Sequence, residues 1–449
     1  MNDQDRGGRR RTLVVGGGLA GISCALRLSD LGHRVELIER SGHLGGLCRS
    51  VPDPVMGRID TGQHVYLGCC SSLEALLGRL KVRPALRQRR LELTVVNPAT
   101  AASRRLRAAP LPAPLHLLPV LARWPGLSRS ALLEAGRVAT ALRSWSVEEL
   151  DSVPALGWLQ SLGQSPATIG RLWDPFLVAA CNVSLQNCSA AAAAQVLSKG
   201  LLGTADGAAL RVPGTDLTSW LSGPAERALQ AAGVAVRVRF RADAINLDDE
   251  GQVVASDPDG NSVVADQVVL ATAARHAHRL LKLAGVSDPE VAKAADLPDS
   301  PIVNVHLFTD RPFLPAPVVV VPDSPLQWLF DRSALSPEEG GGRGLFHSAI
   351  SLSAAEEWVA VGEDALVDRM WKLCRSTFPA AARARLETAR VTREAHATFA
   401  PIPGSATVRP GPASSVRSVY LAGSWTATGW PATMEGAVRS GEAAADAMA

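Results

Sequence analysis

Residues 12–16, TLVVG, form a short apolar run rich in β-branched side chains, and the next apolar positions, Ile22, Ala25, Leu26 and Leu28, recur at helical spacing. That switch of period predicts a strand, a tight turn and a helix ending at Gly32. HRVELIER (33–40) supplies a second strand, with Val35 and Leu37 leading to a terminal Glu39. The three pieces make one βαβ unit of about 30 residues. From Ser71 the texture changes: SSLEALLGRLKV is helical, and the chain to residue 210 is rich in Ala and Leu with few strand signals. β patterning returns in VAVRVRF (234–240) and DQVVLATAA (266–274), separated by the turn-forming DPDGN at 257–261. Residues 300–400 mix strands such as PIVNVHLF (301–308) and PVVVVP (317–322) with a helix near 363–376. The chain closes on strand, loop and helix: SVYLAG, SWTATGWPAT and MEGAVRSGEAAADAM.

This order predicts an α/β chain with a Rossmann-type nucleotide-binding domain that is discontinuous in sequence. Residues 1–75, 211–275 and 400–449 build that domain, and a helical and α+β substrate-binding lobe, 76–210 and 276–399, is threaded through it. A hydrophobic share of 47% over 449 residues supplies a sizeable core and excludes a disordered chain. The net charge of +3 is spread along the sequence, which gives no footprint for nucleic acid. Seven cysteines without a C-x-x-C spacing argue against a disulfide framework and a zinc or other metal site, and for a reducing, cytoplasmic setting; the Cys69-Cys70 pair reads as small buried apolar residues. RGGRRRTLVVGGG has too short an apolar run for an export signal and reads as a basic tail entering the first strand. No 18-residue apolar stretch occurs, so membrane contact is expected to be peripheral.

Candidate chemistry starts at the first turn. Gly16-x-Gly18-x-x-Gly21, with Leu19 and Ala20 opening the helix, offers backbone N–H groups and the positive helix end to a pyrophosphate. Glu39 arrives 18 residues after Gly21, where a carboxylate accepts from ribose hydroxyls and repels a 2′-phosphate. That fingerprint alone serves NAD and FAD equally. Beyond it come Arg40, a Gly45-Gly46 loop, Arg49 and Asp60-Thr61-Gly62-Gln63-His64. At the far end, Leu421-Ala422-Gly423 closes a strand and Pro431 to Ala437 opens a helix whose first N–H groups suit negative charge on a reduced flavin.

A Gly-Gly loop followed by Arg, directly after the ribose-binding acid, resembles the extended dinucleotide motif of the flavin amine oxidase and carotenoid desaturase superfamily. The resemblance implies FAD as cofactor, with Arg49 facing it, Gly45-Gly46 along its flavin side and the closing helix end beneath the isoalloxazine. Within the superfamily, GGGLAGISCALRLSDLGHRVELIER, RIDTGQHVYLGC, LWDPFLVAACNVSLQNCSA, SPIVNVHLF, TFAPIPGSATVRPGP and YLAGSWTATGWPATMEGAVRSGEAA look like the hydroxysqualene dehydroxylases, with matches spanning 13 to 445. The cofactor contacts so implied are Gly16, Gly18, Leu19, Ala20, Gly21, Glu39, Arg40, Gly45, Gly46, Arg49, Gly62, Gln63, His64, Ala242, Gly423, Ser424, Thr433, Met434 and Ala437. The implied reaction is FAD-dependent reductive removal of the hydroxyl of hydroxysqualene, a C30 isoprenoid, to give squalene for hopanoid synthesis; an electron donor is required and stays unnamed. Three positions depart from the pattern: Ser424 replaces an acid, and Ser41 and Leu47 stand where relatives often carry Arg, which shifts expected contacts to Arg40 and Arg49.

Loss of an allylic hydroxyl needs an acid, an apolar cavity and exclusion of water. His64, on the loop expected at the flavin edge, is the first candidate acid, with Asp60 orienting its loop; Asp174 is the second. The helical stretch 76–210 is the expected tunnel wall. Residues 108–127, apolar, proline-interrupted and flanked by Arg104, Arg105, Arg107, Arg123 and Arg129 with Trp124 at the boundary, suit contact with a membrane surface. Two other functions fit the same sequence: a phytoene-type carotenoid desaturase, and a non-catalytic flavoprotein that carries isoprenoid. An amine oxidase fits less well, because Tyr66 and Tyr420 are the only tyrosines and an aromatic cage would have to use Trp425 or Trp430.

Overall fold

The computed structural model describes residues 10–54, 57–247, 252–336 and 344–449; most of the basic stretch before the first strand lies outside the described residues. Strands Arg11–Val15, Arg34–Glu39, Ala235–Val238, Gln267–Leu270 and Val419–Leu421 form one parallel sheet. Numbered along the chain, their spatial order is third, second, first, fourth, fifth. Val14 pairs with Leu37 on one side and Val269 on the other. Burial on both faces explains the unbroken Val, Ile and Leu texture of these strands. Val14, Leu37 and Val269 pack toward the opening helix Leu19–Asp30, while Leu13, Val15 and Leu270 pack toward helix Ala274–Leu283. Connections leave the first strand in opposite directions, so a crevice opens at the carboxyl ends of the first and fourth strands, where such sheets take ligands.

The two ends of the chain meet over this sheet. The closing helix Met434–Asp446 lies so close to the opening helix that a Cβ on Gly441 would stand 2.1 Å from the Ala20 carbonyl oxygen. Ser23 Oγ donates to Val438 O at 2.8 Å across the same contact, and Arg27 pairs with Asp446 at its outer end.

A seven-stranded sheet forms the lobe, in the order Leu386–Phe399, Asp299–Thr309, Phe346–Leu352, Gln327–Asp331, Val318–Val321, Glu92–Val96, Ser103–Arg107. Val318–Val321 illustrates its layering: Val318 and Val320 enter the core shared with the helical stretch, and Val319 and Val321 the core under helix Glu363–Thr377. Here the structure differs from the pattern reading, because residues before 210 contribute strands Pro84–Arg87, Glu92–Val96 and Ser103–Arg107. The hairpin was hard to see because its second strand, SRRLR, keeps only Leu106 buried and so carries almost no apolar alternation. Through the parallel pairing of Val319 and Val320 with Thr94 and Val95, the two sequence blocks of the lobe share one sheet. Among the described residues no helix is long and apolar enough to cross a membrane.

Candidate active site

Two glycine turns meet backbone to backbone at the crevice. Gly16 leaves the first strand at φ 113°, and a Cβ there would lie 2.4 Å from Ala271 O; a Cβ on Gly21 would lie 1.8 Å from Gly16 O. Internal packing therefore demands both glycines. Gly18 is different: its φ is −74°, and the nearest atom to an added Cβ is Gly46 Cα at 3.8 Å. The space beside it, at the amino end of the opening helix next to Leu19 and Ala20, is a cradle that a side chain would fill. Gly45 N donates to Gly17 O at 2.8 Å, so the second glycine loop forms the other wall. Glu39 is buried, its Oε2 accepting from Gly17 N at 2.7 Å and its Oε1 from Ser41 N at 2.8 Å. A carboxylate has about four lone-pair sites, which leaves capacity for ribose hydroxyls. Buried Ala242 follows Arg239 and Phe240, whose N–H groups donate to Ser41 O and Glu39 O. Arg40 is exposed, and Arg49 reaches across to Glu394 of the lobe at 3.0 Å while its Nε is buried with no acceptor among the described residues.

The closing segment arrives from the other side. Gly423 N donates to Ser440 Oγ at 2.7 Å, and Thr433 caps the closing helix, its Oγ1 accepting from Gly436 N, so that Met434 and Ala437 lie in the first turn. Two residues that the pattern reading missed organise this region. Glu435, fully buried, accepts from Leu73 N at 2.8 Å and pairs with Arg439, tying the start of helix Ser71–Arg79 to the start of the closing helix. Arg409 donates to the carbonyls of Ser424 at 3.0 Å, Thr426, and Trp430 at 2.8 Å, so one guanidinium shapes the loop that leads into that helix. Burial lowers the Arg409 guanidinium to about 10 against the opposing pull of Asp151. An Arg beside a proline carries no local signal for such a role.

Loop 60–64 completes the constellation. Asp60 is buried, donated to by Leu217 N at 2.8 Å and Ser50 Oγ at 2.8 Å and facing Arg332, so its carboxylate ties strand Ser50–Asp53 to the first N–H of helix Leu217–Ala231, whose N-cap is Asp216. His64 Nδ1 lies 2.9 Å from Gly62 O, and its ring also meets the Cys48 thiol, three residues from Gly45. Burial by itself disfavours the imidazolium, but interaction with Cys48, the hydrogen bond to the Gly62 carbonyl and the Asp60 carboxylate outweigh it and raise His64 to about 9.

A sequence profile described as flavin containing amine oxidoreductase matches residues 19–449. The chain belongs to the flavin containing amine oxidoreductase family. Hydroxysqualene dehydroxylases of Rhodopseudomonas palustris and Sinorhizobium fredii are 31% and 27% identical to it, each alignment covering 96% of this chain and 97% of the relative. A zeta-carotene desaturase of Arabidopsis thaliana is 23% identical over 98% of this chain and 85% of its own. In fold, an oxidoreductase from Methanosarcina mazei superposes with a TM-score of 0.74 at 17% identity, covering 96% of this chain and 98% of that one.

As a member of this flavoprotein family the chain is an FAD-dependent oxidoreductase. Its own residues fit the cofactor: the cradle at Gly18 suits a pyrophosphate, Glu39 a ribose, and Arg49 Nε, buried and without a partner among the described residues, a further acceptor. Asp174, the second candidate acid, lies in the helical stretch of the lobe. It begins helix Asp174–Cys181 beside Asp323, with burial first and that like charge second raising it to about 6. Trp124, expected at a surface boundary, is buried at 3% exposure and packs on Phe176, because the proline-broken segment folds its indole inward.

Proposed function

We propose that the chain removes the hydroxyl of hydroxysqualene reductively, giving squalene and water, for hopanoid-type triterpenoid synthesis. What carries this reading is end-to-end similarity to hydroxysqualene dehydroxylases in a chain whose two ends converge on one cradle. FAD, when bound and reduced, supplies the hydride from N5. The protein's share begins with the leaving group: His64, cationic at neutral pH, donates its proton to the allylic hydroxyl, which departs as water and leaves a cation delocalised over the neighbouring double bond. Proton plus hydride replaces OH by H, so atoms and charge balance. The C30 chain offers no other polar handle, and its binding rests on burial of about 25 cal/mol per Å² of apolar surface.

Anaerobic mixing of reduced holoprotein with hydroxysqualene tests the assignment. The expected result is one squalene per flavin reoxidised. The similarity to a carotenoid desaturase favours a second reading, and that reading replaces the first if hydroxysqualene leaves the reduced flavin untouched while phytoene bleaches the oxidised protein. Retained flavin with neither reaction points to an isoprenoid carrier.

The substrate reaches the protein, on this reading, from an anionic bilayer on the cytoplasmic side. Leu111, Leu115 and Leu118 are 44%, 51% and 45% exposed, and Arg104, Arg105, Arg107, Arg123 and Arg129, which flank them in sequence, are exposed as well, Arg105 and Arg107 pairing with Glu92. Changing the three leucines to Gln is expected to lower co-sedimentation with phosphatidylglycerol vesicles by about 10-fold or more, as loss of the apolar anchor predicts; unchanged binding removes this surface from the account.

A further inference from the structure

Strand Asp299–Thr309 sends Val303, Val305 and Leu307 into the core under helix Glu363–Thr377, which turns Asn304 and His306 toward loop 60–64. Asn304 is fully buried at 0% exposure. A buried amide is costly unless both its N–H and its carbonyl are paired. Both partners lie in that single loop: Nδ2 donates to Thr61 O at 3.1 Å, and Oδ1 accepts from Gln63 N at 3.2 Å. Thr392, directly opposite Asn304 on the neighbouring strand, donates a second bond to Thr61 O at 2.9 Å. Behind them His306 Nδ1 meets His347 Nε2 at 3.0 Å; burial first, with Arg332 adding, holds His306 down at about 4, so this backing is neutral.

The bond to Gln63 N has a consequence for His64. Gln63 N–H and the Gly62 carbonyl belong to one planar trans peptide and point in opposite directions. Fixing the first fixes the second, and the Gly62 carbonyl is the group 2.9 Å from His64 Nδ1. Because Gly62 lacks a side chain, that peptide could otherwise flip at little steric cost. We infer that Asn304 is the positioning residue of His64: by holding the Gly62–Gln63 peptide it keeps the Gly62 carbonyl on Nδ1–H and so sets the orientation of the ring and of the proton on its other nitrogen. This rests on the acid role proposed for His64, and it makes the candidate site a joint product of the lobe and the nucleotide-binding half.

The test is made on holoprotein with labelled histidine ring nitrogens, the His64 signal being assigned by its loss in His64→Asn. In Asn304→Ala, and in the volume-conserving Asn304→Leu should the alanine form not fold, the Nδ1–H signature of His64 is expected to be lost or split, and dehydroxylation to fall about 10-fold or more. Thr392→Val removes a bond to Thr61 O but leaves Gln63 N held, and should keep the wild-type signal. In a His64→Asn background the Asn304 change should cost nothing further. An unaltered His64 signal in the Asn304 variant, or an equal disturbance in Thr392→Val, overturns the inference. If instead His64→Asn retains full turnover while Asn304→Ala still moves the His64 signal, the positioning stands and the acid role is what fails.

Discussion

Gly18→Ala should produce a protein that folds normally and has lost its flavin. Three glycines make up the Gly16-x-Gly18-x-x-Gly21 pattern, and the structure separates their reasons. Gly16 sits at a φ of 113° against Ala271 O, and Gly21 has Gly16 O where its Cβ would be, so replacing either disturbs the apoprotein itself. Gly18 has an ordinary φ of −74° and no atom nearer than 3.8 Å to an added methyl group. Among the described residues nothing requires glycine there, and the prediction is that a ligand approaching the backbone does. The expected loss in FAD affinity is about 100-fold, roughly 2.7 kcal/mol, with apoprotein stability within about 0.5 kcal/mol of wild type. Flavin absorbance after gel filtration and a urea melt of the apoprotein measure the two. Full flavin content would show that the cradle has been misplaced.

His64→Asn carries the second large effect. A positioned general acid contributes about 10²–10⁴ in rate, and Asn keeps a neutral polar side chain without a proton to give at neutral pH. Single-turnover reoxidation of reduced holoprotein by hydroxysqualene is expected to slow by that factor while the bound flavin spectrum is retained. The wild-type pH profile follows from the sign of the shift. With the imidazole raised to about 9, the proton-bearing form persists through neutrality, so the rate is flat below about pH 8 and falls as pH rises through about 9. A rate that falls between pH 6 and 7 would show an imidazole without the upward shift, and a limb that persists in His64→Asn would assign the acid to another group. The profile in His64→Asn should lose that limb.

Much of this site was legible from local pattern. The opening strand, turn and helix, Glu39 at the end of the second strand and the capped closing helix each follow from periods and spacings within about 30 residues. Other parts were not. Asn304, Thr392, Arg409 and Glu435 sit in segments whose sequence gives no hint of partners, because those partners lie elsewhere: Asn304 meets Thr61 across 243 positions and Glu435 meets Leu73 across 362. A polar residue on a buried strand face reads the same in sequence as one on a wet face, and only burial turns its unpaired groups into a cost that must be met. The same blindness hid the Arg-rich strand Ser103–Arg107 and misplaced Trp124, whose surroundings are set by packing against Phe176.

The sequence by itself determined the nucleotide-binding crossover, the family and the cofactor, since helix and strand periods and glycine turns are written in short stretches of chain. Tertiary structure decided which glycines the packing itself requires, which groups surround His64 and which polar side chains of the lobe hold its loop. Those assignments depend on which buried hydrogen-bonding groups come face to face, and that is fixed only when distant segments pack and exclude water.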